Sequence, residues 1–232
     1  LNGFYNRLEQ FQCASYLQSK NAVLTLKDVN FIEVLHCVLL NKQEEQLASN
    51  NQLFISYDEQ IKPLTNVDTQ VLQHLFNLLI DTTLQQCSGG VFHLNMQLQD
   101  KNAGQQVIRF VAKVFVPNLT DLPDTIKQFA RAGNKTTASS SLVEVFIILL
   151  HQLHGEDVET QLIDGGYQLS FEMPLAITSS DHSKRIEDSK EAGNLALAET
   201  KVMLLSSNKS VTSIVKKLVL ACSGKFEAIV RM

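Results

Sequence analysis

The 232 residues are 44% hydrophobic and 19% charged, an ordinary globular profile that excludes a disordered chain, a collagen-like repeat and a coiled-coil rod. A net charge of −4 argues against a dedicated nucleic-acid binder, which needs a basic face. No apolar run approaches the roughly 18 residues of a membrane span.

Cys13, Cys37, Cys87 and Cys222 form no C-x-x-C pair, so their spacing fits neither a zinc site nor a small disulfide framework, and a reducing compartment is the simpler reading. The sequons at Asn118, Asn134 and Asn208 come with no signal peptide and read as chance. The chain begins at Leu1 rather than Met, which reads as a piece of something longer.

Residues 4–17 place Phe4, Leu8 and Phe11 on one face and read as a helix, the end of a bundle helix cut from its mates. Residues 22–29 alternate and read as a strand. Asn30 can cap a helix with Phe31, Val34, Leu35, Val38 and Leu39 on its apolar face. Residues 53–57 form a second strand, closed by the turn around Pro63. From Asn66 the helical signal is strong, with Val67, Val71, Leu72, Leu75, Leu78 and Leu79 recurring and Asp68 in the first turn. Ser88-Gly89-Gly90 ends this helix. Two alternating runs follow, residues 91–98 and 107–116, joined by a turn at 101–104. Residues 117–141 are polar and read as a mobile loop. A second strong helix is expected over 142–153, then a closing hairpin from 160–163 through Asp164-Gly165-Gly166 to 167–173.

Residues 179–191 are polar and aperiodic, the signature of a linker. Beyond it a buried-strand run at 201–205, a helical pattern through Val211, Ile214, Val215, Leu218 and Val219, and a strand from Phe226 give a β-α-β start that stops short.

This order resembles the ATP-binding half of a sensor histidine kinase over residues 1–177. Its most specific stretches are residues 67–91, V-D-T-Q-V-L-Q-H-L-F-N-L-L-I-D-T-T-L…G-G-V, and residues 149–175, L-L-H-Q-L-H-G-E…D-G-G-Y-Q-L-S-F-E-M-P-L. The resemblance implies an α+β fold, a two-layer α/β sandwich of the histidine kinase ATPase type. It is preceded by a dimerisation-helix remnant and followed by a truncated α/β, receiver-like unit. The implied boundaries are 1–20 for the helix end, 21–178 for the ATPase-like domain, 179–199 for the linker and 200–232 for the C-terminal unit.

The architectural positions match the family, and the chemical ones do not. The family's magnesium-binding Asn maps to Asp81 and its phosphate-contacting Lys to Leu84, while Asn77 one turn earlier is kept. An Asp can ligate Mg²⁺, but it adds negative charge beside a triphosphate when the lysine is gone; the plainer account is a solvated or capping acid on a surface helix. The adenine-reading Asp maps to Val114, which offers no acceptor, and the two glycines after it map to Val116 and Asn118. The phosphate-gripping glycine loop becomes Ala138-Ser139-Ser140-Ser141-Leu142-Val143. The serines there can cap the helix that follows or hold a weak anion.

None of His36, His74, His93, His151, His154 or His182 lies in a phosphoacceptor box. His151 and His154, three apart with Glu156 and Asp157 beyond, read as a surface helix end rather than a metal site. In the C-terminal unit, K-V-M-L-L-S-S-N resembles a receiver opening whose magnesium-holding acidic pair has become Ser206 and Ser207. The related α/β linker domain of Rcs phosphorelay proteins is the alternative there.

The expectation is a kinase-like module without catalytic residues, ATP or metal, in the cytoplasmic portion of an inner-membrane bacterial phosphorelay protein. Its partners would be a sensor kinase and a response regulator, with a homodimer through the N-terminal helix and no nucleic-acid or direct membrane contact. Two other readings remain: a divergent active kinase using Asn77, Asp81 and the serine loop, and a bare interaction or dimerisation module. A chaperone- or repair-type ATPase is disfavoured, because it needs the same lost Asp and glycines.

Overall fold

The computed structural model describes residues 23–46, 49–84, 87–116, 119, 121–132, 142–156, 158–178, 201–205 and 225–229, with positions 11, 12, 15 and 16 near the N-terminus. The chain divides into two units, 1–178 and 179–232.

The first unit opens with strand β1 (Leu26–Asn30) and helix α1 (Phe31–Gln46). Asn30 caps the helix as expected: its Oδ1 accepts from Glu33 N at 3.4 Å, and its amide donates back to Glu33 Oε1 at 2.8 Å, a reciprocal arrangement that satisfies end groups. Strand β2 (Gln52–Tyr57) follows, then β3 (Leu64–Asp68) and helix α2 (Thr69–Leu84). The β3 strand corrects the sequence reading, which started the helix at Asn66. Asp68 sets the boundary, its Oδ1 accepting from Gln70 N at 3.0 Å and Val71 N at 3.2 Å, the work of an N-cap.

Strands β4 (Val91–Lys101) and β5 (Gln105–Phe115) form the expected hairpin. Asn102 closes the turn by accepting from Gly104 N and Gln105 N. The stretch expected to be a loop instead contains helix α3 (Asp124–Ala132), anchored by the fully buried Ile126 and Phe129. Helix α4 (Leu142–Gln152) and the hairpin of β6 (Glu159–Ile163) with β7 (Gly166–Ile177) complete the unit.

The strands form one sheet in the order β1-β3-β7-β5-β4-β2, with β6 pairing β7. Only β2–β4 is parallel within it. Helices α1, α2 and α4 lie side by side, and α3 packs against α4, α2 and β6. One face of the sheet meets this helical layer through Phe92, Leu94 and Met96 on β4, Ile108, Phe110, Ala112 and Val114 on β5, and Tyr167, Leu169, Phe171, Met173 and Leu175 on β7, all buried. Phe110 stacks on Phe171 with ring centroids 5.2 Å apart, and Phe146 meets Phe171 edge-on at 5.6 Å. These are the offset and T-shaped geometries that aromatic quadrupoles favour.

The opposite face carries polar pairs. Arg109 there reaches Glu159 at 2.6 Å and Glu172 at 3.5 Å, and Ser56 Oγ lies 2.7 Å from His93 Nε2.

In the second unit, β8 (Lys201–Leu205) and β9 (Lys225–Ile229) pair in parallel, which requires a crossover between them. The helix expected at 211–219 lies outside the described residues, as does most of the helix expected at 4–17. No helix among the described residues is long and apolar enough to cross a membrane.

Candidate functional site

The end of α2 collects the positions that the sequence singled out. Asn77, Asp81 and Leu84 follow one another at four- and three-residue steps, which places them on one stripe of the helix. Asn77 is half-buried and Leu84 is buried. A buried leucine cannot contact phosphate, so the physical environment of position 84 matches its chemistry.

Asp81 departs from the expectation of a solvated or capping acid. Its carboxylate pairs with the Lys42 ammonium, Nζ lying 2.9 Å from Oδ1 and 3.1 Å from Oδ2. The lysine side chain is 5% exposed and the aspartate 22%. Lys42 comes from α1, where it falls one turn after Val38 on the stripe that otherwise buries Phe31, Leu35 and Val38. A lysine this deep holds its charge only when paired. A neighbouring helix thus supplies Asp81 with a cation that the stripe of α2 itself does not carry.

Val114 is fully buried on the helix-facing row of β5, and its partner across the strands is Tyr167. The Tyr167 hydroxyl donates to the Thr83 carbonyl, in the last turn of α2. Cys87 Sγ donates to the same carbonyl at 3.5 Å. Burial pushes the Tyr167 phenol well above its ordinary pKa, and the neighbouring Cys87 adds to this. Burial likewise raises the Cys87 thiol, with the Tyr167 hydrogen bond acting in the other direction.

Beside this pair the backbones come very close. A Cβ at Gly166 would stand 2.0 Å from Val114 O and 2.9 Å from the Phe115 Cα, so no other residue fits without moving a strand. Val116, half-buried, donates its N–H to Gly165 O at 3.0 Å.

The loop after α2 is held by the residue just before β2. Asn51 donates to Cys87 O at 3.2 Å and accepts from Gly90 N at 2.8 Å. Farther along, Leu142 is half-buried at the start of α4. Asn118, Ala138, Ser139, Ser140, Ser141, Asp157, His182, Ser206 and Ser207 lie outside the described residues.

The histidines are dispersed. His36, His151 and His154 are exposed, His74 and His93 half-buried. His154 adopts a positive φ of 58° just past α4, and Gly155 N returns to Leu150 O at 2.9 Å, so this end is a helix-terminating turn. Among the described residues no three His, Cys, Asp or Glu side chains converge as a metal group.

Sequence reasoning named Asp81, Leu84 and Val114 as site positions but not Lys42, which pairs with Asp81, or Tyr167, which stands opposite Val114. Both carried a signal. Lys42 sits at an apolar-stripe position, and Tyr167 at an inward position of an alternating run.

No known protein-family profile matches the sequence, and no curated protein matches it. Solved structures do. The chain is similar to the full-length ShkA in complex with AMPPNP, at 16% identity and a TM-score of 0.70, covering 99% of this chain and 46% of that one. It is also similar to the histidine kinase ThkA in complex with the response regulator protein TrrA, at 16% identity and a TM-score of 0.52, covering 75% of this chain and 48% of that one. The chain therefore spans about half the length of each. At such identities the likeness is one of fold: an α+β two-layer fold of the histidine-kinase ATPase type.

Proposed function

We propose that residues 21–178 form a kinase-like module that does not bind ATP and that scaffolds or relays signalling in a bacterial two-component phosphorelay. One observation carries the reading: the acid at the expected metal position, Asp81, is already neutralised at 2.9 Å by a lysine from the protein's own core. A divalent cation needs oxygen donors with uncompensated charge. Here it would have to displace the ammonium of a lysine whose side chain is only 5% exposed. The residues at the neighbouring positions agree, with buried leucine at 84 and buried valine at 114 offering neither a cation for phosphate nor an acceptor for adenine.

On this reading the fold is kept for its surfaces. The module would position partner domains, a sensor kinase and a response regulator, and any phosphoryl group would travel through a histidine outside this chain. The N-terminal helix would pair with its copy in a homodimer. The parallel β8–β9 pair fits a receiver-like unit whose Ser206 and Ser207 cannot replace carboxylates on a hard cation. A degenerate kinase core followed by such a unit fits a phosphotransfer intermediate of the Rcs type, in the cytoplasmic portion of an inner-membrane protein.

Calorimetric titration of the chain with Mg-ATP and Mg-ADP tests the reading. The expected result is no saturable heat. Micromolar affinity overturns it and favours a divergent active kinase using Asn77 and Asp81.

A further inference from the structure

Tyr167 has the largest fully buried side chain among the described residues. Its ring stands opposite Val114 on the helix-facing side of the sheet, and its hydroxyl ends on the Thr83 carbonyl. That carbonyl belongs to the last turn of a helix, where C=O groups have no partner further along the helix. The other polar groups of this corner are also satisfied from within. Thr82 and Thr83 hydroxyls donate back to the Leu78 and Leu79 carbonyls at 2.6 and 2.7 Å, and Asn51 bonds both Cys87 O and Gly90 N.

The chemistry of this corner is that of a base site already filled. A purine offers a flat ring whose faces pack on apolar side chains, with a hydrogen-bond donor at its edge. A phenol offers the same two features, and here both are used: the flat ring against Val114, the edge donor on a backbone carbonyl. The residue facing it across the strands has no polar group that would call for a ligand.

We propose that Tyr167 is the resident occupant of the base position, excluding purines with its ring and holding the end of α2 with its hydroxyl, so that this end is closed with no ligand bound. This rests on the kinase-like reading of the site and adds to it the residue responsible. The same side chain is then the specificity determinant. Removing the ring and giving position 114 a polar edge should admit a purine.

The test uses the whole chain and adenosine as probe. In the variant Val114→Asn/Tyr167→Ala the amide supplies an acceptor and a donor together, the pair that asparagine presents to adenine. Calorimetry should give no saturable adenosine binding to the wild type. The variant should bind adenosine at least tenfold more tightly than the wild type does, and tenfold more tightly than it binds guanosine. A variant that melts cooperatively but takes up no adenosine overturns the proposal.

Should the double variant fail to fold, Tyr167→Ser alone is titrated under the same criterion. Failure of that variant to melt cooperatively also overturns the proposal, since the ring would then be required for folding and not a stand-in for a base. Rapid nitration of Tyr167 in the native wild type, at the rate of Tyr57, would overturn it independently of any variant. Binding of Mg-ATP or adenosine by the wild type instead removes the ATP-free reading. No binding by wild type or folded variants removes only the proposal about Tyr167.

Discussion

The Lys42–Asp81 pair gives the sharpest test of how the site is built. At 2.9 Å the Coulomb attraction is about 6 kcal/mol for an effective dielectric of 20. Desolvation of the two ions offsets most of it, so the pair as a whole stabilises little relative to apolar residues of similar size. The single variants behave differently because the partners are unequally buried, lysine 5% and aspartate 22% exposed. Asp81→Leu strands an ammonium in the core and should cost about 3–5 kcal/mol. Lys42→Met leaves a carboxylate that can rehydrate through its exposed edge, and should cost roughly half as much. The double variant should return to within about 1 kcal/mol of wild type. In a chain of this size 1 kcal/mol moves the melting midpoint by about 2–4 °C, so Asp81→Leu should fall by about 10 °C. Urea and thermal denaturation of the four proteins measure the cycle. Millimolar MgCl₂ should leave the wild-type midpoint unchanged. If both single variants lose less than about 0.5 kcal/mol, the pair is a solvated surface contact, and the argument that Lys42 has replaced a metal at Asp81 fails.

Three further outcomes follow from the same geometry. The buried phenol of Tyr167 keeps its proton in the folded state to higher pH than in the unfolded chain. Its contribution is therefore complete below about pH 10, the ordinary tyrosine value, and declines above it by up to about 1.4 kcal/mol per pH unit. Urea midpoints of wild type and Tyr167→Phe should converge across that window, and a constant difference would contradict the assignment. Gly166→Ala, which drives a Cβ to 2.0 Å from Val114 O, should lower stability by about 3 kcal/mol or more; Gly104→Ala, with open space at its Cβ, should change it by less than about 1 kcal/mol. Phe129→Ala removes the edge-on contact with Phe146 at 5.3 Å and should cost about 3 kcal/mol. Hydrogen exchange in Asp124–Ala132 should rise before the rest of the unit opens.

Where the pattern was long, it was legible. Helix α2 repeats apolar residues over four turns, and β4 and β5 alternate around a turn whose Asn102 makes the closing hydrogen bonds. The reading failed where the signal was short. Among the described side chains of helix α3 only Ile126 and Phe129 are buried, too few to show a period within a polar stretch of 25. Its docking depends on Phe146, a residue of α4 distant in sequence. Strand β3 was absorbed into the following helix because Asn66-Val67-Asp68 suits either period. The antiparallel pairing with β1 and β7 and the cap bonds that Asp68 accepts from Gln70 and Val71 separate the two. The site shows the same division. The residues at positions 84 and 114 are plain from one letter each, whereas the neighbours that surround the site, Lys42 of α1 beside Asp81 and Tyr167 of β7 opposite Val114, need the fold.

The source of those replacements bears on whether the site awaits a ligand. A binding site keeps polar groups that the free protein leaves to solvent, and buried ones without partners are rare in native structures. Among the described residues the only buried side-chain polar atom without a hydrogen-bond partner is Thr65 Oγ1, on β3, away from the Val114–Tyr167 pair. Around α2 each buried polar tip has a protein partner: Lys42 with Asp81, Tyr167 with Thr83, Asn51 with Cys87 and Gly90. For the ATP-free reading this is the stronger form of the argument. On that reading a nucleotide would meet Val114 in place of an acid, and it would also have to break the Lys42 and Tyr167 contacts before making its own. Each group so released would stay buried at a penalty of about 1–3 kcal/mol, more for the charged ones. On the proposed reading, restoring ligand-contacting residues one at a time should therefore fail while Lys42 and Tyr167 remain, because the space and the charge they supply would be the ones a nucleotide and its cation need.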